Sequence, residues 1–505
     1  MASASRRESP YASPLMAELL LREVTVEGRL VDVRASDGTI TSVGPRLKPR
    51  PGETIIDGRR GALVPGLHDH HIHLLALAAA ERSVPVGPAV TPDSAAFAGA
   101  LAAADRSLAT GAWLRAVGYH ESIAGPLDRW RLDEIVRDRP VRVQHRTGIE
   151  WVLNSRGVEL TGLDLESPGP SGAADWTGDI PAITDPVVGV ERDARGRPTG
   201  RLRGLDRWLR DRLPRERLPD LAAVGERLSR LGVTGVTDAT PIDRLEDLAP
   251  LAEAAAAGVL PQRTVVTGGP SLAAAEIPSP LARGPVKLVI ADHALPSLED
   301  LVGWVRTAHE QDRPVAVHCV TRTALALTLA ALDAAGAIVG DRIEHGSVVP
   351  PQLRRLVASL GLVVVTQPNF VAERGDRYLA EVDAEDQPHL YPCRSLLDAG
   401  IGVGGGTDAP FGDPDPWLAI RAAVERRTAG GAPLGLREAV SPERALALFL
   451  TPPDDPGGEV RRVRPGARAD LCLLDASLSQ VLEEPSSDRV VLTVHAGVPH
   501  ERRRL

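Results

Sequence analysis

Residues 64–74 have the sequence Val-Pro-Gly-Leu-His-Asp-His-His-Ile-His-Leu: an apolar run, a Pro-Gly break, and then four histidines within six positions. In a strand, side chains alternate between two faces, so Asp69, His71 and His73 share one face and the other two histidines point away. Two imidazoles on one strand face can bind a single divalent metal, and imidazole suits zinc, iron, nickel or copper. The pattern therefore predicts a metal site rather than a polar loop with incidental histidines.

The segment from Pro65 to His73 resembles the signature of the amidohydrolase superfamily, a group of metal-dependent hydrolases. In that family the His-x-His pair ends the first strand of a (β/α)8 barrel. The resemblance implies an α/β fold, a metal-dependent (β/α)8 TIM barrel whose chemistry lies at the C-terminal ends of the strands. We therefore expect further ligand-type residues where later strands end.

The composition sets the class of protein and excludes several partners. The chain has 505 residues, is 43% hydrophobic and carries a net charge of −9, which allows a large core and more than one structural unit. It has no basic block and no charged tail, so we expect no nucleic-acid partner. We also expect no signal peptide and no membrane association, because no apolar run reaches about 18 residues. Three widely spaced cysteines fit a reducing compartment, so we expect the protein to be cytoplasmic.

The two ends of the chain differ in pattern from its middle. Residues 1–15 are rich in serine, proline and charge and are predicted to be disordered. Short apolar runs with turn signals follow and recur near the C-terminus. The superfamily often builds a composite β-sandwich from both termini, so the resemblance assigns residues 16–63 and 452–505 to such a domain and residues 64–451 to the barrel.

The central region alternates between short apolar runs and helical stretches of sequence. This alternation, at about 30 residues per unit, is what eight strand–helix units in roughly 250 residues require. The predicted strands lie near residues 232–239, 262–267, 286–290, 314–318, 341–345, 362–366 and 401–404. The predicted helices cover residues 91–110, 243–257, 297–312, 321–336, 351–360 and 415–429.

An insertion at about residues 110–212 is expected to cap the mouth of the barrel. Within it, residues 145–155 (His-Arg-Thr-Gly-Ile-Glu-Trp-Val-Leu-Asn-Ser) resemble a motif of the superfamily branch that contains N-substituted formamide deformylase and exoenzyme-regulator-like proteins. That branch usually has a histidine where this chain has Ile149. The resemblance implies that the insertion lines the substrate pocket, and Tyr119 and Asn154 are the expected substrate contacts.

Lysine is nearly absent from the chain. Of the 58 lysine and arginine residues, only two are lysines, Lys48 and Lys287. Lys287 lies inside an apolar predicted strand. A buried lysine is costly when charged and unpaired, and a neutral lysine can react with carbon dioxide to give a carbamate that bridges two metals. In many relatives the fourth strand supplies such a lysine, so Lys287 is a candidate metal ligand; the alternative is an ion pair with a carboxylate such as Asp292.

Three further residues end predicted strands and match the ligand set that the resemblance implies. His318 and His345 end the strands that correspond to the fifth and sixth of the family. Asp408, after the glycine-rich run Gly404-Gly405-Gly406, matches the aspartate that serves as both metal ligand and proton acceptor. An N-cap is the alternative role for Asp408. The expected ligands are thus His71, His73, Lys287, His318, His345 and Asp408.

Four other residues near the predicted strand ends and in the insertion are further candidates for the site. Gln367, in the Gln-Pro-Asn segment after the seventh strand, resembles a motif of the branch and is expected to bind substrate. His120, Asp238 and Trp417 are weaker candidates that have at least as good a structural interpretation.

The resemblance implies a mechanism. Divalent metal, with zinc expected at one or two ions per chain, lowers the pKa of a bound water; Asp408 takes its proton while His345 assists in holding the oxyanion, and Asp408 then protonates the leaving amine. The substrate would be a small molecule with an amide-like C–N bond. Relatives are often dimers, so a homodimer is expected.

Two other functions remain open from the sequence. Metal-dependent deamination of a ring C=N uses the same activated water but normally needs one metal and no lysine carbamate. A catalytically silent relative that binds a small molecule is the second alternative, and the complete ligand set argues against it.

Overall fold

A computed structural model describes residues 18–88, 90–164, 189–214, 220–290 and 295–501 of the chain. The segment 1–15 that the sequence predicts to be disordered lies outside the described residues, as does Asp292. Within the described residues there are 23 strands and 16 α-helices.

The strands are β1 (Leu19–Val26), β2 (Arg29–Ser36), β3 (Thr39–Gly44), β4 (Thr54–Asp57), β5 (Leu63–Pro65), β6 (Leu67–Ile72), β7 (Val84–Pro85), β8 (Leu114–Tyr119), β9 (Val141–His145), β10 (Glu150–Leu153), β11 (Gly189–Arg192), β12 (Pro198–Arg203), β13 (Val233–Asp238), β14 (Arg263–Val266), β15 (Ala282–Arg283), β16 (Val286–Leu288), β17 (Val315–Cys319), β18 (Arg342–His345), β19 (Val363–Thr366), β20 (Val403–Gly405), β21 (Leu471–Leu474), β22 (Val490–His495) and β23 (Val498–Glu501).

The α-helices are α1 (Leu74–Glu81), α2 (Ser94–Ser107), α3 (Glu121–Ala124), α4 (Arg129–Ile135), α5 (Ser155–Thr161), α6 (Asp206–Arg212), α7 (Leu221–Arg230), α8 (Ala249–Ala256), α9 (Leu298–His309), α10 (Arg322–Ala335), α11 (Pro351–Ser359), α12 (Asn369–Glu381), α13 (Arg394–Asp398), α14 (Pro416–Glu425), α15 (Pro442–Ala447) and α16 (Leu478–Glu483). Short 3₁₀ helices cover Leu245–Leu248, Pro270–Leu272, Gln387–His389, Leu436–Glu438 and Ser487–Arg489.

Two parallel sheets form the centre of the mixed α/β fold. One has the strand order β15-β14-β13-β6 and the other β16-β17-β18-β19-β20. Backbone hydrogen bonds link them on both sides: Lys287 N–H donates to the Gly268 carbonyl at 2.8 Å, and Asp408 N–H donates to the His71 carbonyl at 2.8 Å. Helices follow these strands, and their apolar faces share one large core with the sheets.

The terminal regions contribute two further sheets. Strands β1 to β4 form one sheet in the order β3-β2-β1-β4, and β5 joins the C-terminal strands in the order β23-β22-β21-β5. A separate apolar core contains side chains from both sheets, including Leu21, Val33, Leu471 and Val494. Strand β5 leads directly into β6. The chain therefore passes from the C-terminal sheet into the parallel sheet that contains β6.

The inserted region has its own sheet, in the order β11-β12-β10-β9-β8-β7. The sheet also includes β7, which precedes the predicted boundary at residue 110. Helix α2 packs on this sheet: its Phe97 and Leu101 lie in the same core as strands β8 and β9. The sequence predicts this helix correctly, but its apolar face gives no indication of which sheet it covers.

No helix among the described residues is both long and apolar enough to cross a membrane. The three cysteines, Cys319, Cys393 and Cys472, are all buried, and none of them forms a disulfide within the described residues.

Candidate metal centre

A buried cluster of imidazole and carboxylate groups lies where β6, β18 and β20 end. Ligand atoms of His71, His345 and Asp408 all lie within 4.8 Å of one another. His71 Nε2 is 3.5 Å from Asp408 Oδ1, and His345 Nδ1 is 4.0 Å from Asp408 Oδ2. Residues far apart in sequence are thus brought together because parallel strands end at the same edge.

His73 and His318 complete the group of five. His73 Nε2 lies 3.2 Å from Asp408 Oδ1, and His318 Nδ1 lies 3.0 Å from His345 Nε2. The alternation predicted for β6 also holds for its other histidines, since His68 and His70 hydrogen-bond elsewhere and their rings lie 4.5 Å apart.

Lys287 is buried in β16, with 2% of its surface exposed. Its Nζ has no hydrogen-bond partner among the described residues, which exclude 291–294. Burial lowers the pKa of the Lys287 amine, although the charges of Glu344 and Asp408 act in the opposite direction. This environment favours the neutral amine, which is the form that carbamate formation requires.

Each of three candidate ligand histidines has a hydrogen-bond partner on its outer ring nitrogen. His71 Nδ1 contacts the Glu344 carboxylate, His73 Nδ1 lies 2.9 Å from Thr240 Oγ1, and His345 Nδ1 lies 2.8 Å from Gln367 Oε1. Partners of this kind fix the tautomer and orient the other nitrogen's lone pair towards a metal.

Glu344 is a functional residue that the sequence reasoning missed. Its Oε1 accepts from Arg342 Nε at 2.6 Å, and its Oε2 contacts His71 Nδ1. A charged pair at alternate positions of a fully buried strand is the sequence signal that could have identified it, because unpaired charges are not tolerated there.

Asp69 joins the first and last strands of the parallel sheets. Its Oδ1 accepts from the backbone N–H groups of His71 and Thr407, and its Oδ2 accepts from Thr407 Oγ1 at 2.5 Å. Burial raises the pKa of the Asp69 carboxyl to about 7, despite these hydrogen bonds. Asp69 therefore positions the ends of β6 and β20 rather than entering the ligand cluster.

The backbone is left-handed at two site residues, with φ of 68° at His345 and 56° at Asp408. Non-glycine residues rarely adopt this conformation, and such strain is concentrated at functional sites. At His345 the left-handed backbone interrupts the usual alternation of side chains along β18, so that two consecutive residues contact His71. Glu344 contacts His71 Nδ1, and the His345 ring centroid lies 4.7 Å from that of His71.

The electrostatics set the protonation states of the cluster. Burial alone would raise the pKa of the Asp408 carboxyl, but contact with His73 and the electrostatic interactions with His71 and His345 outweigh it and hold this pKa below its usual range. Burial, with the nearby Lys287, lowers the pKa of His318 to about 3. Burial favours neutral imidazoles at His71, His318 and His345, and Asp408 is an ionised carboxylate; these are the forms that bind metal.

Three predicted substrate contacts have other roles in the structure. Gln367 is fully buried, and its amide oxygen is used by His345, so it orients that ring. The buried Tyr119 donates to the Gly125 carbonyl at 2.5 Å inside the insertion. Asn154 caps α5 and bonds only backbone groups in its surroundings, which leaves its amide no free position for substrate.

The weaker candidates also have structural partners. Asp238 accepts from the backbone N–H groups of Leu74 and Thr240, and Trp417 Nε1 donates to the Leu231 carbonyl. Both side chains therefore hold elements in place.

The donor set fits a divalent metal. Asp408 Oδ1 accepts no well-aligned hydrogen bond despite its burial, and Lys287 Nζ has no partner among the described residues. Buried polar atoms without partners are costly, and a cation among them would satisfy the carboxylate and the imidazole lone pairs together.

The sequence profile of the amidohydrolase family matches residues 54–500, which include both parallel sheets, the insertion and all six candidate ligands. The chain belongs to the amidohydrolase family. The resemblance seen in residues 65–73 is thereby confirmed, and so is the prediction of a hydrolase that acts on carbon–nitrogen bonds. Dependence of this amidohydrolase on a divalent metal fits both the family and the cluster.

Two relatives and one solved structure show how widely the likeness extends. The chain is 27% identical to N-substituted formamide deformylase of Arthrobacter pascens, over 91% of this chain and 94% of the relative. It is 25% identical to the putative amidohydrolase YtcJ of Bacillus subtilis (strain 168), over 78% and 80% respectively. The fold resembles that of an uncharacterized metal-dependent hydrolase from Pyrococcus horikoshii OT3, with a TM-score of 0.69 and 20% identity over 91% of this chain and 97% of that one.

Proposed function

We propose that this amidohydrolase hydrolyses the amide C–N bond of a small-molecule substrate at the metal centre built by β6, β16, β17, β18 and β20. The observation that carries the proposal is the ionised, buried Asp408 carboxylate within contact of His71, His73 and His345. This arrangement combines metal ligands with a proton acceptor in one buried site.

The same proposal includes the architecture that surrounds the site. The backbone hydrogen bonds of Lys287 and Asp408 to the neighbouring sheet support closure of the two parallel sheets into one (β/α)8 barrel. The two terminal sheets with their common core would form a composite β-sandwich. The insertion would then cover the end of the barrel where the ligands lie.

Zinc is the proposed metal, because imidazole nitrogens with a carboxylate are a common zinc ligand set. His71, His73, His318, His345 and Asp408 would hold it. When bound, the metal supplies Lewis acidity that lowers the pKa of water from about 16 towards about 7. With Lys287 as a carbamate, formed by an N–C bond to carbon dioxide with loss of a proton from Nζ, two additional oxygens would be available and a second ion could be held.

Asp408 performs the proton transfers. Its lowered pKa keeps the carboxylate ionised near neutral pH, so it can accept the proton of the attacking water. It then donates that proton to the nitrogen of the leaving amine as the C–N bond breaks. Glu344 and Gln367 keep the rings of His71 and His345 oriented during both transfers.

N-substituted formamides are the first substrate class that we propose, since the deformylase relative matches nearly the full length of this chain. Three buried cysteines that form no disulfide within the described residues support a reducing, cytoplasmic location for the reaction.

The test combines metal analysis with a substrate panel. Purified protein is analysed for zinc per chain and then assayed with N-substituted formamides and larger amides, with detection of the released acid and amine. We expect one or two zinc ions and release of both products. Asp408→Asn should lower turnover by at least about 10²-fold, while the matched variant His389→Gln, in a 3₁₀ helix outside the cluster, should retain it.

Two outcomes would contradict the proposal. Folded protein that binds no divalent metal would exclude the mechanism. Ammonia released from ring amidines, with no turnover of any amide, would instead establish the deaminase alternative.

A further inference from the structure

A second cluster of ligand-type side chains lies in the insertion, away from the proposed catalytic ligands. His120 follows β8 and caps α3, Glu121 begins that helix, and His145 ends β9. Strands β8 and β9 are parallel neighbours, and Tyr119 is the register partner of His145. The three side chains therefore meet at the carboxyl edge of a parallel strand pair, where open α/β sheets usually bind ligands.

The geometry of the cluster is close to that of a metal site. One ligand atom from each of His120, Glu121 and His145 lies within 4.8 Å of the other two. Glu121 Oε2 is 3.1 Å from His145 Nε2 and 3.9 Å from His120 Nε2. The histidine side chains are 12% and 13% exposed and that of Glu121 is 39% exposed, so a cation has access from solvent.

Both imidazoles also have a hydroxyl partner on Nδ1, the ring nitrogen that does not face Glu121. His120 Nδ1 lies 2.9 Å from Ser122 Oγ, and His145 Nδ1 lies 2.8 Å from Thr147 Oγ1. In each case the hydroxyl belongs to the second residue after the histidine. A protonated Nδ1 that donates to such a hydroxyl leaves Nε2 with its lone pair, as a metal ligand requires.

The same nitrogens have an alternative state without metal. The backbone N–H groups of Ser122 and Thr147 lie 3.2 and 3.3 Å from the respective Nδ1 atoms and can donate to them. In that state the proton of each ring lies on Nε2, and His145 Nε2 can donate it to Glu121. Metal binding would shift the single proton of each ring from Nε2 to Nδ1, so that the Nε2 lone pair becomes available to the ion.

We propose that His120, Glu121 and His145 form a second divalent-cation site, selective for zinc-type ions and distinct from the catalytic centre. Two imidazoles and one carboxylate are a known three-residue zinc ligand set, with a fourth position left for water or an anion. Arg146 and Arg377 add positive charge near His120, so an anion in the fourth position would balance the site.

The place of the site suggests its role. Gly148, in the loop that follows His145, lies against Phe411: a Cβ at Gly148 would be 2.5 Å from the Phe411 ring. The Phe411 ring in turn lies 5.5 Å from that of His73, a candidate catalytic ligand. An ion bound between β8 and β9 would thus hold the loop that borders the catalytic cluster.

The experiment is a titration of metal-free full-length protein with Zn²⁺ alone, followed by dialysis and metal analysis. Wild-type protein should bind one more Zn²⁺ per chain than His120→Gln or His145→Gln. The exposed Thr147→Val keeps all three ligands but removes a hydroxyl partner, and should weaken this one site by about 10- to 100-fold. His389→Gln is the control and should bind as many ions as wild type.

The variant His71→Asn tests the catalytic centre separately. It should lose metal at the catalytic centre and still bind Zn²⁺ at the site in the insertion. Equal Zn²⁺ stoichiometry and affinity in wild type, His120→Gln and His145→Gln would overturn the proposal. Should either variant fail to fold by circular dichroism, unchanged affinity in folded Thr147→Val would overturn it as well.

Discussion

At Asp408 one side chain combines ligand geometry, a lowered pKa and a left-handed backbone. Asp408→Asn keeps the shape and tolerates the left-handed conformation, but it cannot accept a proton. We expect kcat for amide hydrolysis to fall by about 10²- to 10⁴-fold, the usual contribution of a general acid–base. Asp312→Asn is the matched control, because Asp312 is exposed and also left-handed, with φ of 51°. Equal kcat in the two variants would argue against this role for Asp408.

Lys287 allows a prediction that separates metal chemistry from packing. Lys287→Met replaces a buried amine, without a partner among the described residues, by an apolar side chain of similar length. Metal-free protein should therefore become more stable, by about 1–3 kcal/mol in the free energy of unfolding, whereas the stabilisation that zinc gives to wild type should diminish. Chemical unfolding with and without zinc measures both effects.

Lys48→Met, at an exposed position, is the control and should change neither quantity. A less stable metal-free Lys287→Met would show that the ammonium group has a stabilising partner.

Sequence reasoning at the scale of residues identified the expected ligands but not their supports. His71 could be proposed because it belongs to a His-x-His pair after an apolar run, and His345 because it ends a predicted strand. Glu344 and Thr240 could not be assigned in this way, because each contacts a histidine far away in the sequence. The separations are 273 positions for Glu344 and 167 positions for Thr240. Asn154 shows the converse case: it lies in a recognisable motif, and its amide group hydrogen-bonds to the local backbone.

At the scale of elements, the glycines of and around β20 permit a close approach to β6. A Cβ at Gly406 would lie 2.6 Å from His71 Cβ and 2.9 Å from His71 N, closer than real Cβ contacts allow. Gly406→Ala should therefore separate the two strands, lower stability by about 1–3 kcal/mol and reduce zinc content. Thermal unfolding and metal analysis provide the measurements.

Gly402→Ala, just before the same strand, provides a matched comparison. Its Cβ would lie 3.4 Å from Val363 Cγ2, an ordinary contact, so stability and zinc content should stay near wild type. Similar losses in both variants would point to general sensitivity of β20 rather than to the approach to His71.

The strands of the central region were predictable because their apolar runs are short, regularly spaced and bounded by helices. The predicted run at 341–345 corresponds to β18, and that at 362–366 to β19. The start of the insertion was not predictable to the same degree. Whether α2 packs on the parallel sheets or on the insertion is decided by tertiary contacts, which its periodicity does not encode.

At the scale of the whole molecule, a buried polar cluster joins the terminal sheet to the centre. His495 Nε2, on β22, lies 2.9 Å from Ser229 Oγ of α7, and Thr493 Oγ1 donates to the Ser229 carbonyl at 2.6 Å. Gln262 Nε2 donates to the same Ser229 hydroxyl at 3.0 Å. The terminal sheet is thereby fixed to the helix that precedes β13.

This cluster predicts a sensitivity to acid. Burial, with smaller effects of His500 and Arg468, lowers the pKa of His495 from 6.5 to about 3. The unfolded chain then binds a proton that the folded chain excludes, so this stabilisation is complete above pH 6.5 and is lost as pH falls from 6.5 towards 3, by at most about 1.4 kcal/mol per pH unit. His495→Gln should flatten the dependence of unfolding free energy on pH between 6.5 and 5. Parallel profiles for the two proteins would exclude this origin.

Because lysine is scarce in this chain, chemical modification of the buried Lys287 amine in β16 can report the opening of that strand. Lys48 is exposed and Lys287 is not, so an amine-acylating reagent would modify the first at once and the second only during transient opening of its strand. Peptide mass spectrometry reads the two sites in one digest, with Lys48 as the internal reference for reagent strength. The lifetime of the closed catalytic end could thus be followed in the unmodified protein, with and without zinc or substrate, without any engineered label.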